Sequence, residues 1–320
     1  MKKSSLLQIF ISLLCMTLLY LSFRGEMGEI VSTLKKTNPR YFLTSLLLQL
    51  IAIGVISFRL KLVFSTQGIV LPLKESIELS FLGFFFNNFL PTAAGGDLPK
   101  AYYAYKKTKK KVEAFGCVIG DRIIGLFSLV LFASVGVFFM WQELSWSIKI
   151  AIGSLFVISI FLLSFLFSRN MAKSAKFLFA PLKRKGWDKK IETVYHFLRT
   201  LSNNKRLLFQ ALFISMICHI LAVTTFYLLI HGLSASFSFV KLFVVLPLIF
   251  ALAMLPSLNG LGIREGAFVY FLGSAIGTHS ALALSILWLV ILGVMSVIGG
   301  FCYLAHGWRN VSLKEVREIS

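Results

Sequence analysis

Long apolar stretches separated by short basic loops make up most of the chain. Six of them are long enough to cross a bilayer, because a helix of about 20 apolar residues spans the hydrocarbon core. They run at about 6–23, 41–63, 112–141, 147–168, 207–230 and 280–305. This pattern predicts an all-α integral membrane protein, a polytopic helix bundle that forms a single domain over residues 1–320.

Two further apolar stretches are interrupted by residues that break helices. The first, at about 74–107, contains NNFLPTAAGGDLPKA, and the second, at about 239–278, contains AMLPSLNGLGIREGAF. In both, a glycine follows four residues after the proline, and an acidic residue comes soon afterwards. Paired interruptions in the two halves of a chain are typical of an inverted repeat with a site near the membrane midplane. The predicted hinge residues are Pro91, Gly95, Gly96, Pro256, Gly260 and Gly262.

The distribution of lysine and arginine predicts the orientation. Basic residues open and close the chain, six lysines lie in residues 100–111, and eleven Lys and Arg lie in residues 169–206. The positive-inside rule places all four regions in the cytoplasm. They share one side only if 74–107 and 239–278 each enter and leave on one face. We therefore expect two re-entrant hairpins and a multi-pass protein of the cytoplasmic (inner) membrane with both termini inside. The loop 24–40, with four basic and two acidic residues, fits this orientation least well.

Composition limits the class of protein and of partner. The chain is 57% hydrophobic with a mean hydropathy of +0.82, which is more apolar surface than a soluble domain can bury. Its net charge is +20, but the basic residues lie between apolar segments. We therefore expect membrane phospholipids, and not nucleic acid, as partners. A homo-oligomer and a separate lipid-modifying enzyme stay open as further partners.

The interrupted segments supply the candidate binding residues. Irregular backbone at membrane depth is tolerated inside the protein or along a wet cavity, and helix N-termini favour anions there. We expect Asp97 to cap a returning helix, and we expect a phosphate to bind between the two interruptions. Arg122 is expected to face this cavity, with Asp97, Glu265 or the bound phosphate as its partner. The predicted substrate-binding residues are Lys100, Arg122, Arg264, Asp97, Glu265, Asn88 and Asn259.

Simpler interpretations of these residues stay open. Asp97 as a cap only, Arg122 in a structural ion pair with Glu265, and Asp121 solvated near the cytoplasmic end each explain the same sequence. His219 is expected to form an interhelical hydrogen bond. The sequence shows no metal-ligand spacing, no nucleotide-binding motif and no catalytic constellation. We therefore expect a protein that is not an enzyme and that needs no cofactor.

Three blocks carry a resemblance to a known family: NFLPTAAGGDLPKA at 88–101, DRIIGL at 121–126 and LPSLNGLGIREGA at 255–267. With them the chain resembles the transmembrane (flippase) region of lysylphosphatidylglycerol synthase, the multiple peptide resistance factor. The family usually carries an arginine where this chain has Lys100, and lysine loses the bidentate geometry that arginine offers to phosphate.

The resemblance implies lipid translocation without lipid synthesis, because the soluble aminoacyl-transferring domain is missing from this chain. We therefore expect a flippase-like protein that moves a phospholipid or a related anionic lipid across the membrane through a polar cavity at the midplane. The alternative is a membrane enzyme, or an accessory subunit of one, that acts on a lipid phosphate such as a polyprenyl carrier. A structural partner without transport is the third option.

Overall fold

The computed structural model describes the backbone of residues 3–89, 95–143, 145–167, 204–255, 257 and 259–305. Within these ranges, side chains are described except at 3–9, 88, 89, 148, 151 and 161–167. Every regular element of the described residues is a helix. The helices are α1 Lys3–Phe23, α2 Met27–Lys35, α3 Pro39–Ser65, α4 Leu73–Phe89, α5 Asp97–Thr108, α6 Lys111–Phe139, α7 Trp146–Phe167, α8 Lys205–Gly232, α9 Leu242–Ala253, α10 Ile263–Ile276 and α11 Thr278–Ala305.

The helix lengths confirm an all-α membrane protein. In the described part of the chain, α3, α6, α8 and α11 are long and apolar enough to cross a membrane. Residues 10–23 of α1 and α2 form a further candidate, but they meet at a bend of 92°. The sequence did not predict α2, which packs against α11 and buries Ile30.

Two long antiparallel helices, α3 and α8, pack against each other along most of their length. The Ser45 hydroxyl donates to the Thr225 carbonyl at 3.2 Å, near one end of the pair. Near the other end, Arg59 donates to the Ser215 hydroxyl at 2.8 Å. The C-terminal end of α3 therefore lies beside the N-terminal end of α8.

Helices α4 and α5 form an antiparallel hairpin over the first interrupted segment. Lys107 near the end of α5 donates to Glu75 at the start of α4, at 2.6 and 2.9 Å. At the other end of the hairpin, Gly96 lies against the backbone of Gly83. The two ends of this segment are therefore close together, as the re-entrant interpretation requires.

Helices α9 and α10 cover the second interrupted segment and pack against each other. Their rings join one aromatic cluster around Phe226 of α8, which lies 5.8 Å from Phe250 and 5.4 Å from Phe268. Trp288 of α11 completes the cluster at 4.7 Å from Phe226. Burial of large aromatic side chains therefore holds α9 and α10 to α8 and α11.

The neighbours of the helices repeat between the two parts of the chain. Helix α4 packs against α11, where Gly299 lies beside Phe81, and α9 packs against α6, where Gly136 lies beside Phe243. Phe243 follows Phe81 in sequence at nearly the same separation as Gly299 follows Gly136. Exchanging α3–α6 with α8–α11 thus reproduces these packing pairs, which is the pattern that two related halves would give.

Candidate functional site at the two elbows

We call residues 90–96, between α4 and α5, the first elbow, and residues 254–262, between α9 and α10, the second elbow. A charged cluster lies on the α5 side of the first elbow. Arg122 of α6 donates from Nε to the Asp97 carboxylate, and Lys100 lies one turn further along α5 with its Nζ 3.4 Å from Asp97. The partner of Arg122 is thus Asp97, and Glu265 is paired elsewhere.

Asp121, the neighbour of Arg122 in sequence, points to a different partner. Arg59 of α3 holds the Asp121 carboxylate with two hydrogen bonds of 2.8 and 2.9 Å, and it is only 5% exposed. The guanidinium also donates to Ser215 of α8. Asp121 is therefore ion-paired inside the bundle. Arg59 is not among the residues predicted from the sequence, although an arginine inside an apolar span signals a buried partner or a functional role.

These five groups carry more positive than negative charge. Arg59, Lys100 and Arg122 supply three cations, and Asp97 and Asp121 supply two carboxylates. The outer members are the accessible ones, since the side chain of Arg122 is 36% exposed and that of Lys100 is 19% exposed. The first elbow therefore presents one excess positive charge on groups that an anion can reach.

The turn into α5 differs from the prediction by one residue. Gly96 is the N-cap residue, and Asp97 is the first residue of the helix. The Gly96 N–H donates instead to Oδ1 of Asn87 at 2.7 Å. The prediction that Asp97 caps the helix is wrong, because its carboxylate turns to the two cations. A Cβ at Gly96 would overlap the Gly83 carbonyl, which explains why glycine stands there.

At the second elbow the charges neutralise each other. Arg264 donates from Nε and Nη2 to Oε1 of Glu265, at 3.1 and 2.7 Å. The other carboxylate oxygen, Oε2, accepts the Gly262 N–H at 2.6 Å and so satisfies the start of α10. Arg264 is 3% exposed and Glu265 is 6% exposed. This pair is therefore closed to a ligand in the state described here.

Backbone conformation shapes the second elbow. Asn259, Gly260 and Gly262 have φ values of +49°, +78° and +82°, in the region that favours glycine. Gly262 is also the point where α1 touches the elbow, since a Cβ there would collide with Cys15. The predicted hinge glycines of this elbow thus occupy backbone states that few other residues adopt.

Some predicted residues lie outside the described part of the chain. These are Pro91, Pro256 and the side chain of Asn88, whose backbone is in α4. His219 forms the expected interhelical hydrogen bond, with Nε2 3.0 Å from the Ser128 hydroxyl. Among the described residues no group of three His, Cys, Asp or Glu side chains is placed to hold a metal ion. Roles of the predicted residues in binding stay predictions.

Comparisons with known proteins agree with this architecture. The family model described as the lysylphosphatidylglycerol synthase TM region matches residues 5–300. A UPF0104 membrane protein of Methanothermobacter thermautotrophicus is 24% identical over 264 residues, which cover 76% of this chain and 78% of that protein. A second UPF0104 membrane protein, from Methanocaldococcus jannaschii, is 30% identical over 100 residues, which cover 31% of this chain and 30% of that protein.

Proposed function

Because the chain belongs to the family of lysylphosphatidylglycerol synthase transmembrane regions, we propose that it moves an anionic lipid between the leaflets of its membrane. Membership of this family indicates a role connected with membrane lipids. The protein would transport the lipid and would not catalyse a reaction, with phospholipid as its partner and without a cofactor. The site would lie at the first elbow.

The excess positive charge at the first elbow carries this proposal. Charged groups within a membrane protein are costly unless they are paired or have a function. Arg59 and Asp121 compensate each other, whereas Asp97 is shared between Arg122 and Lys100. A phosphate at Arg122 and Lys100 would balance the remaining charge. The positive end of the α5 helix dipole adds to the attraction for an anion.

The arrangement also says what each residue would do. The headgroup phosphate would contact Arg122 and Lys100, while the acyl chains stay in the bilayer. Asp97 would hold the two cations in place before the lipid arrives and would release part of its contact when the phosphate binds. The buried Arg59–Asp121 pair would fix the rotation of α6, so that Arg122 keeps facing the elbow.

The repeated packing of the two parts of the chain supports a transport cycle. In proteins built from inverted repeats, one repeat rocks against the other around a central site. Here the α4–α5 hairpin would be re-entrant and would move with its neighbours relative to α9–α10. The closed pair at Arg264 and Glu265 would then serve to hold the second elbow in shape.

A flipping assay tests the proposal. The purified protein would be reconstituted in liposomes that contain fluorescent phosphatidylglycerol, and a membrane-impermeant quencher would report the lipid in the outer leaflet. We expect wild-type protein to increase the flipping rate, and Arg122→Gln to reduce that increase by roughly tenfold, since a charge-assisted contact of about 1.5–3 kcal/mol is lost. Lys149→Gln, a cation on α7 away from the elbows, is the matched control.

Two results would contradict the proposal. Flipping no faster than in empty liposomes, for anionic and zwitterionic lipids alike, would remove transport. Equal flipping by wild type and Arg122→Gln would remove the site. Turnover of a lipid phosphate by the wild-type protein, abolished in Asp97→Asn, would instead favour the membrane-enzyme alternative.

A further inference from the structure

An apolar groove lies between three helices, and none of the residues that line it belongs to either elbow. It has a volume of about 700 Å³ and is formed by α3, α8 and the start of α4. Its walls include Ile51, Phe58, Phe213 and Leu73, all of which are substantially exposed. Gln210 is the single polar side chain among the lining residues. In a membrane protein, such a surface faces lipid.

One end of the groove carries three basic residues, one from each helix. Phe58, Ile77 and Gln210 line the groove. Lys61 follows Phe58 by three residues, Lys74 precedes Ile77 by three, and Arg206 precedes Gln210 by four. Residues three or four apart share one face of a helix, so each cation lies on a stripe that continues the groove. The antiparallel packing of α3 and α8 brings these ends together.

The three cations are not compensated within the described residues. None of Lys61, Lys74 and Arg206 takes part in an ion pair there. Glu75, which follows Lys74 in sequence, is already bound by Lys107 and Tyr103. The groove is apolar along its length and has basic residues at one end, so it matches the two parts of an anionic phospholipid, an acyl chain and a phosphate.

We infer that this groove is a binding site for one anionic phospholipid, which lies with an acyl chain along α3 and α8 and its headgroup at the three cations. With the predicted orientation, this lipid belongs to the cytoplasmic leaflet. The site is separate from the first elbow, and a lipid can be held there whether or not the chain transports lipids. Gly54 keeps the groove open, since it has nothing within 4 Å of the place where a side chain would begin.

Photo-crosslinking in nanodiscs tests this inference. The probe is phosphatidylglycerol with a diazirine in its acyl chain, compared with the same probe built on phosphatidylcholine, and crosslinked peptides are located by mass spectrometry. We expect labelling at Phe58 and Phe213 to exceed labelling at Val297 and Phe301, which are exposed on α11. We expect this excess only for the anionic probe.

Two variants separate the apolar and charged parts of the site. Gly54→Leu fills the groove, and its control Gly293→Leu adds the same side chain at another helical glycine with open space around it. The triple variant Lys61→Gln, Lys74→Gln, Arg206→Gln removes the cations, and its control removes Arg24, Lys35 and Lys36 in the same way. We expect the groove labelling to fall roughly tenfold in each test variant. Gly54→Leu fills the space that the acyl chain needs, and the triple variant removes three basic residues that each add to the attraction for anionic lipid.

The inference fails if both probes label the groove and α11 alike, since the groove then holds only bulk lipid. It also fails if the test variants label as wild type does. Weaker labelling of the groove than of α11 by both probes would show that a second copy of the chain, and not lipid, covers the groove.

Discussion

Arg59 on α3 holds the carboxylate of Asp121 on α6 with two hydrogen bonds, and Asp121 is followed directly by Arg122, which pairs with Asp97 at the first elbow. Two adjacent residues of α6 thus connect α3 to the start of α5, at the first elbow. Because neighbouring residues on a helix point in different directions, one position fixes the helix while the next contacts the elbow.

Breaking this buried ion pair should destabilise the whole bundle. Arg59→Gln leaves Asp121 without its charge partner, and such a change costs about 3 kcal/mol or more. We expect a clear drop in the melting temperature in detergent, measured by tryptophan fluorescence. The double variant Arg59→Met, Asp121→Leu should recover most of the loss, since it leaves no unpaired charge. A single variant as stable as wild type would show that the pair carries no stability.

The close approach of Gly96 to Gly83 predicts a second effect on stability. Gly96→Ala places a methyl group against the Gly83 carbonyl and should cost about 1–3 kcal/mol, as overpacking does. Gly293→Ala is the control, because it adds the same methyl group where nothing lies within 4 Å. The control should be neutral or stabilise the helix by up to about 1 kcal/mol. Equal melting temperatures for the two variants would mean that α4 and α5 pack less closely than described.

The two elbows should respond differently to loss of an acid. Glu265→Gln removes the partner of a buried arginine and weakens the acceptor for Gly262, so the expected loss of stability is about 3 kcal/mol. Asp97→Asn acts on cations that solvent can reach, so its cost should be about 1 kcal/mol or less. Thermal unfolding of both variants in the same detergent measures the difference. The reverse order would place the structural ion pair at the first elbow.

The contact between α4 and α5 predicts on which side of the membrane their outer ends lie. Lys107 contacts Glu75, so the start of α4 and the end of α5 should lie on the same side of the membrane. With the four native cysteines replaced by alanine, Lys74→Cys and Lys107→Cys should react with an impermeant maleimide from the same side of sealed vesicles. Labelling from opposite sides would make the segment an ordinary pair of crossings and would remove the re-entrant interpretation.

The sequence predicted the helices better than it predicted their contacts. The predicted spans agree with α3, α6, α8 and α11 to within about two residues at each end, because the change from apolar to charged residues marks where a helix leaves the membrane. Helix α2 was missed because its nine residues have no long apolar run, and packing against α11 stabilises it.

The candidate site could be predicted only in part. Pro, Gly and buried charge located both elbows, and the pairing of Arg122 with Asp97 was one of the expected alternatives. The pairing of Arg59 with Asp121 joins residues 62 positions apart, and no local pattern specifies which arginine an aspartate meets. Arg264 and Glu265 are adjacent in sequence, and neighbours on a helix usually point in different directions, so their mutual neutralisation was not expected; a phosphate was expected between the elbows.

The contacts of the first two helices bear on how the protein is made. Helix α1 packs against α10 at Cys15 and Gly262, and α2 packs against α11, where Glu26 and Glu29 bind His279. Helices α1 and α2 therefore find these neighbours only after the ribosome has produced α10 and α11. Contacts so distant in sequence form late. We expect a nascent chain that stops before α10 to leave its N-terminal helices undocked and open to proteolysis.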